Sequence, residues 1–566
     1  MTRKKTHQPK VDHQATTPSA NVSSAAPKKG SNRTWLRLMR KLPYTLTFIC
    51  LYFFVTLTYG DVFTRTVQES YICSEPGTMD FLTQQDYGSL YVLGRYALLI
   101  FHSVWFGGLI FTLMLLGIGK LIDHAFRLPL WLRGLGNLIP VGLLFYFASQ
   151  GIQLYYKSEP SLFILQTIGT LLVALVLALV LPKIFKHSHS GEEEAPKSWR
   201  KIPVGLLVTL LSYSGLQAYA HSIDCENTIL TADMQNKALE NDISTLAIKG
   251  LSAQQPSRSV AAYNAIGLLH TDALLEHVFD ISYHFPEVKV NMSDGSGEYG
   301  IFMSDCNFFS GLLNASYRSA MDHIVMDGPK LYYLKRMALC AILKQEKALA
   351  EKYLTIIGKV PFEKDFVETY RPYLDNPELI NQNYIFSRIL KLTPTEQRFE
   401  QNYRNPTFLG YYTRVLQGNN LALAPSIAAC LYSKDLPNAS QRAYQMKAMN
   451  EPLPLSVMEA MAILSRKNPD IVKYYPELNP ATNQFQHPAI MNVNNFFIDI
   501  QTYFKDKYNN APDWRSSMSK ELSHGINDEL REILSKKWLG HFVYYYYCEN
   551  VVQKNEVKKQ QEHSVN

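Results

Sequence analysis

Cysteine is scarce in this chain of 566 residues: seven occur, and no two stand in a C-x-x-C spacing. That excludes a disulfide-dense scaffold and gives no sign of a zinc site or a thioredoxin-like redox pair. Also missing are a glycine-rich phosphate loop, a nucleophile elbow and a paired-histidine helix motif. Strand-like alternation is rare, confined to short aromatic runs such as residues 542–547. Charged residues make up only 19% of the chain, yet after His221 no uncharged run reaches the length of a membrane crossing.

What charge there is divides unevenly. Residues 1–220 carry 21 basic and 11 acidic side chains, whereas residues 221–566 carry 35 and 38. The basic excess sits beside apolar runs rather than on a face that could track phosphates, which argues against a nucleic-acid partner. Five uncharged runs, 42–60, 96–119, 134–156, 161–182 and 202–220, approach or exceed the roughly 20 residues that a bilayer core demands, so the bilayer is the first expected partner. The third holds Asn137, Pro140, Gln150 and Gln153, which predicts a kinked or partly protein-facing helix. Flanking basic residues divide 18 on one side against Arg65, Arg95 and Lys157 on the other. Because basic flanks stay in the cytoplasm, the amino terminus is expected there and everything after Ala220 on the outer side of the membrane. Ala218-Tyr219-Ala220 has the layout of a signal-peptidase site, but alanines are also ordinary at helix ends.

The expected fold is therefore all-α: a five-helix membrane region (42–220) followed by a soluble helical-hairpin domain (221–552). A basic arm (1–41) and a polar tail (553–566) have too few large apolar residues to pack and are expected to be disordered. Apolar residues at three- and four-residue spacing predict helices over 331–344 and 346–358, an antiparallel hairpin broken at Gln345. Leu334, Met337, Ala338, Ala341, Ala350, Leu354 and Ile357 occupy the spacing of a tetratricopeptide-type repeat, and prolines at 329, 361, 394, 425 and 454 recur at about one hairpin length. Trp538, Phe542 and Tyr544 to Tyr547 form a cluster that suits either a membrane interface or the core of a terminal helix.

Candidate chemistry centres on the first loop. Asp61, Glu69, Glu75, Asp80 and Asp86 stand there, of which Asp61, Glu75, Asp80 and Asp86 are the candidates, and Arg95 and His102, seven residues apart, would share one face of a second spanning helix. An enzyme or transporter subunit handling a lipid-linked or small polar substrate would use such groups for general-base or ion work. The simpler alternative is a solvated loop with an arginine snorkelling to the interface. Asp294-Gly295-Ser296-Gly297-Glu298 lacks the ladder of a calcium loop and reads as a turn, and His187, His189 and Glu192 to Glu194 read as a short polar loop. No cofactor and no metal is expected. Cys50 lies in a span; the six others would be exposed to an oxidising compartment, either as buried thiols or as disulfides.

Several short stretches add a resemblance. Glu75-Pro76-Gly77, Phe81-Leu82-Thr83-Gln84, Trp105-Phe106-Gly107-Gly108, Leu312-Leu313-Asn314-Ala315, Tyr317-Arg318, Ala350-Glu351-Lys352-Tyr353-Leu354 and Tyr544-Tyr545-Tyr546-Tyr547 make the chain similar, over about 43–552, to an uncharacterised family of Bacteroidota inner-membrane proteins known as a domain of unknown function. Thr78 stands where that pattern has a second glycine. The resemblance implies a few spans joined to a large outer helical region, and no activity. The expected role is that of a membrane-anchored helical-repeat scaffold or binding protein for an envelope protein or polymer on the outer face, since stacked hairpins create concave surfaces.

Overall fold

A computed structural model describes residues 29–129, 131–156, 159–184, 204–286, 288, 297–393, 420–479 and 487–549. Among these residues every regular element is a helix, as the apolar periodicity predicts. The histidine and glutamate loop at 187–194 and residues 294–296 lie outside them.

Among the described residues three helices are long and apolar enough to cross a membrane: Lys41–Thr58, Val104–Ala125 and Leu162–Ile184. Helix length thus supports three of the five expected crossings: a backbone break shortens the third run, and the helix in the fifth has 17 residues. The second run is interrupted at Ser103, whose extended backbone ends a 3-10 turn over Leu99–His102. The Ser103 hydroxyl accepts from the Phe106 amide and starts a new helix. Gly151 takes a left-handed φ of 56°, so the third run stops as the short apolar helix Leu135–Ser149 plus a 3-10 turn over Gly151–Leu154. The fifth yields only Val204–Ala220. The first begins inside the expected disordered arm, at Lys29, and ends in a π-helical turn over Phe54–Thr58.

These helices pack together, with Val104–Ala125 against both Lys29–Phe53 and Leu162–Ile184, and Leu138–Ser149 against Val204–Ala220. Close approach depends on missing side chains: a Cβ on Gly136 would lie 2.2 Å from the Gly119 carbonyl oxygen. Buried Asp123 fastens the same end, accepting from the amides of Gly134 (2.7 Å) and Gly136 (2.8 Å) and from the Tyr44 hydroxyl (2.5 Å). A carboxylate meeting three donors offsets the cost of its own burial.

Beyond Ala220, successive helices pack as neighbours. Tyr299–Phe309, Leu313–Asp327, Leu331–Leu343 and Lys347–Gly358 form one such series; Asn420–Tyr432, Leu436–Ala448, Leu455–Lys467 and Pro488–Lys507 form another. The hairpin read from sequence is there, with Gln345 at φ 58° making the turn and Met337, Ala338, Ala341, Ala350, Leu354 and Ile357 buried between the helices. The terminal aromatic run is the helix Phe542–Cys548, and its rings are core: Tyr545 stacks near Phe279 and Tyr283 and donates to the Tyr432 carbonyl. All seven cysteines are free thiols, six of them buried.

The 220/221 boundary does not separate two independent bodies. Tyr156 donates to the Ile301 carbonyl (3.0 Å), and the Leu331 amide donates to the Ser70 carbonyl (3.2 Å). Much of the first loop is likewise not solvated: Gly60–Gln68 is a helix with Val62, Phe63, Arg65, Thr66 and Val67 buried.

Candidate functional site

Two of the six sequence-singled residues meet. Arg95 is 4% exposed and does not snorkel. Its guanidinium donates to Glu159 from Nε (3.1 Å) and Nη2 (2.9 Å), and from Nη1 to the Tyr71 carbonyl (3.1 Å). The Ser161 amide (3.2 Å) and hydroxyl hold the same carboxylate. His102 is exposed, and its ring stacks on Phe362 with centroids 4.5 Å apart. The shared helical face expected for Arg95 and His102 does not form, because the helix Gly88–Leu98 ends between them. Even so, both line one cleft of about 10 Å³ with Ser70 and Glu363, room for about one water molecule.

None of the loop acids Asp61, Glu69, Glu75, Asp80 and Asp86 lines that cleft. Glu75 pairs with Lys359 at 2.5 Å, Asp80 and Asp86 are exposed, and Asp61, also exposed, accepts from Asn236 through its backbone carbonyl.

The larger concentration of charge is one that sequence reading missed. Arg65 and Glu69, one helical turn apart, form an ion pair with both side chains fully buried. Lys330 reaches Glu69 (3.3 Å) and Asp327 (3.4 Å) from the helical region. The Arg65 guanidinium lies 3.6 Å above the Tyr332 ring, and that ring's hydroxyl donates to Asp305. Tyr263 donates to Asp305 as well (2.6 Å), and Arg336 pairs with it at 2.7 Å, at an angle outside hydrogen-bond geometry. Lys335 bridges Glu363 (2.6 Å) and the Gln68 side chain (3.0 Å).

Four cations therefore face four carboxylates. Burial is the largest single influence and would lower the Arg65 and Arg336 pKa values, but Glu69 and Asp305, together with neighbours such as Tyr332, outweigh it and hold both guanidinium groups above their ordinary value. For Lys335 burial wins, pulling the ammonium below its usual value against the opposing pull of Glu363. Chemically this arrangement clamps the first loop to the helical region rather than presenting a reactive group to solvent. Its sequence signal was available: Asp305 and Arg336 interrupt apolar runs, and Arg65 and Glu69 stand at i, i+4.

A second feature lies far along the chain. The helices Pro488–Lys507 and Asp528–Trp538 splay apart around an open groove of about 540 Å³. Tyr503, Ile533, Leu534 and Trp538 supply its apolar lining and Asp499, Asp506, Glu529 and Lys537 its charge. Asp499 accepts from the Trp538 indole (2.8 Å) and from Lys537 (2.7 Å), which fixes one wall, while Ile533 remains 45% exposed. Among the described residues no group of three or more His, Cys, Asp or Glu side chains is placed to hold a metal ion.

Searches among curated proteins and among solved structures give no match for this chain. A family profile does match, over residues 241–549; the first-loop and second-run motifs lie outside that span, while 312–318, 350–354 and 544–547 lie within it. Matched over more than half its length, with the Asp305, Lys330 and Arg336 side of the junction inside the matched segment, the chain belongs to a family of unknown function, DUF6057.

Proposed function

We propose that this protein is a membrane-anchored scaffold or binding protein of a bacterial inner membrane. Its helical region, built of stacked hairpins in the manner of tetratricopeptide repeats, works on the periplasmic face and binds an envelope protein or polymer. The observation that carries this reading is the groove between Pro488–Lys507 and Asp528–Trp538. An apolar lining flanked by both signs of charge suits a partner with alternating apolar and polar groups. The buried ion network supports the anchoring half of the proposal, since it joins the groove-bearing region rigidly to the membrane helices instead of tethering it by a linker.

In the proposed topology all five apolar helices cross. Leu135–Ser149 begins beside Asp123, at the same end as Tyr44, and continues through its 3-10 turn to Tyr155 and Tyr156 at the junction. Val204–Ala220, at 17 residues, spans about 26 Å, close to the core of a thin bilayer.

The test uses the full chain purified in detergent, with wild type and Ile533→Arg/Lys537→Glu mixed with envelope extract. Wild type should retain a protein or glycan that the variant loses. Equal retention by both, or turnover of a lipid-linked glycan by the purified protein with no partner retained, would overturn the proposal.

A further inference from the structure

We propose that the helix Gly88–Leu98 lies in the bilayer interface, and that Phe362 brings the helical region down onto the same lipid surface. Residues 87–119 contain one charged side chain, Arg95. That is more apolar chain than one crossing can use: the 22 residues of Val104–Ala125 already span about 33 Å, enough for a hydrocarbon core of about 30 Å. The helix before Ser103 must therefore sit outside that crossing while remaining apolar.

Its polarity is inverted relative to a helix facing water. The exposed side carries Tyr87 (77%), Leu90, Leu93 (58%) and Tyr96, whereas the sole charge is turned inward onto Glu159. An apolar outer face over a buried ion pair is what contact with acyl chains and headgroups selects. The helix is seated among the apolar helices on both sides. Its buried side, at Gly94, packs on Ser161 and Leu165 at the start of Leu162–Ile184, while exposed Trp105 and Phe106 open the first turn of Val104–Ala125, where aromatic side chains mark the headgroup level.

Phe362 reaches this surface from the helical region. It is 58% exposed, has a left-handed φ of 69°, and stacks on His102. A bulky side chain rarely holds that backbone conformation, and Tyr87 holds it too, at φ 64°. Lipid contact gives both rings an apolar destination that water would not. The inference rests on the crossing of Val104–Ala125 and is independent of what the groove binds.

Cysteines introduced one at a time at Leu93, Phe362 and, as a control, Val325 (72% exposed), in a Cys50→Ser background whose six remaining thiols are buried, would be spin-labelled in the full chain and reconstituted in 3:1 phosphatidylethanolamine:phosphatidylglycerol vesicles, with the Cys50→Ser chain alone as the labelling blank. Collision with oxygen and with a water-soluble nickel chelate is then compared at each site. Labels at 93 and 362 should favour oxygen several-fold relative to 325. If they match 325, the face is wet and the proposal fails. If both are shielded from both reagents, another protein or a second copy covers the face, and the proposal fails equally. All three side chains are exposed, so labelling does not disturb the core, and a far-UV spectrum identical to wild type confirms it.

Discussion

Arg65 rests on the ring of Tyr332, 3.6 Å from its centroid, although 266 residues separate the two in sequence. The contact joins a helix that leaves the first membrane segment to a hairpin deep in the helical region. Every charge around it is buried, so the network is stable only while complete.

Removing one member should therefore cost more than removing a pair. Arg65→Met leaves Glu69 facing Lys330 alone and should lower unfolding stability by about 3–5 kcal/mol, the usual cost of stranding a buried charge. Arg65→Met/Glu69→Leu should cost less than the single change. Thermal unfolding in detergent, followed as a double-mutant cycle, checks both.

His270 gives the protein an acid-sensitive step. Buried, with Nε2 against the Phe309 carbonyl, its imidazole is pushed down to about 4 chiefly by burial. The unfolded chain takes up a proton near the ordinary value of about 6.5 while the folded one refuses it, so stability falls as pH drops from about 6.5 toward 4. The loss amounts to about 3 kcal/mol by pH 4. His270→Gln should flatten that part of the stability profile in pH-dependent urea titrations.

Helix contact at the Asp123 end tolerates no side chain at Gly136. Gly136→Ala places a methyl 2.2 Å from the Gly119 carbonyl, so the backbones must separate at a cost of about 1–3 kcal/mol. Gly142→Ala, where a Cβ meets nothing within 4 Å, should leave the unfolding temperature unchanged in the same assay.

Thiol counting tests the redox state. All seven cysteines should react in denaturant without reductant, and Cys306, Cys340 and Cys430 should react slowly in the native protein. Burial pushes the Cys340 and Cys430 thiols up to about 11, so little thiolate is present at neutral pH. Fewer than seven reactive thiols would reveal a disulfide.

Topology can be read by fusion after residue 240. The proposed arrangement expects alkaline phosphatase to be active there and a fluorescent protein that folds only in the cytoplasm to stay dark. The reverse pattern would put the groove inside the cell.

Local periodicity made parts of this architecture legible. The 331–358 hairpin could be read because its burial pattern repeats every turn and Gln345 leaves no room for another connection. Spans were harder, since an uncharged run gives composition and hides a break: nothing at Ser103 marks the end of a turn, and Gly151 acts through a backbone angle. Arg95 drew attention as a charge in an apolar run, but its partner Glu159 lies 64 residues away beyond two further α-helices, a pairing that no single-sequence pattern encodes. The same holds for Asp305, which is reached from Tyr263, Tyr332 and Arg336 only once three helices have assembled.

That late assembly bears on how the protein is made. The Arg65 helix leaves the ribosome about 270 residues before the Leu331–Leu343 helix that covers it, so at about 5–20 residues per second the pair waits some 15–50 seconds without its lid. A fragment starting at residue 221 would meet the mirror problem, presenting Lys330 and the face of Tyr332 with nothing to receive them. In the proposed topology, maturation of the helical region is thus tied to prior insertion of the apolar helices, and a chain that failed to insert would display an incomplete core to quality-control proteases.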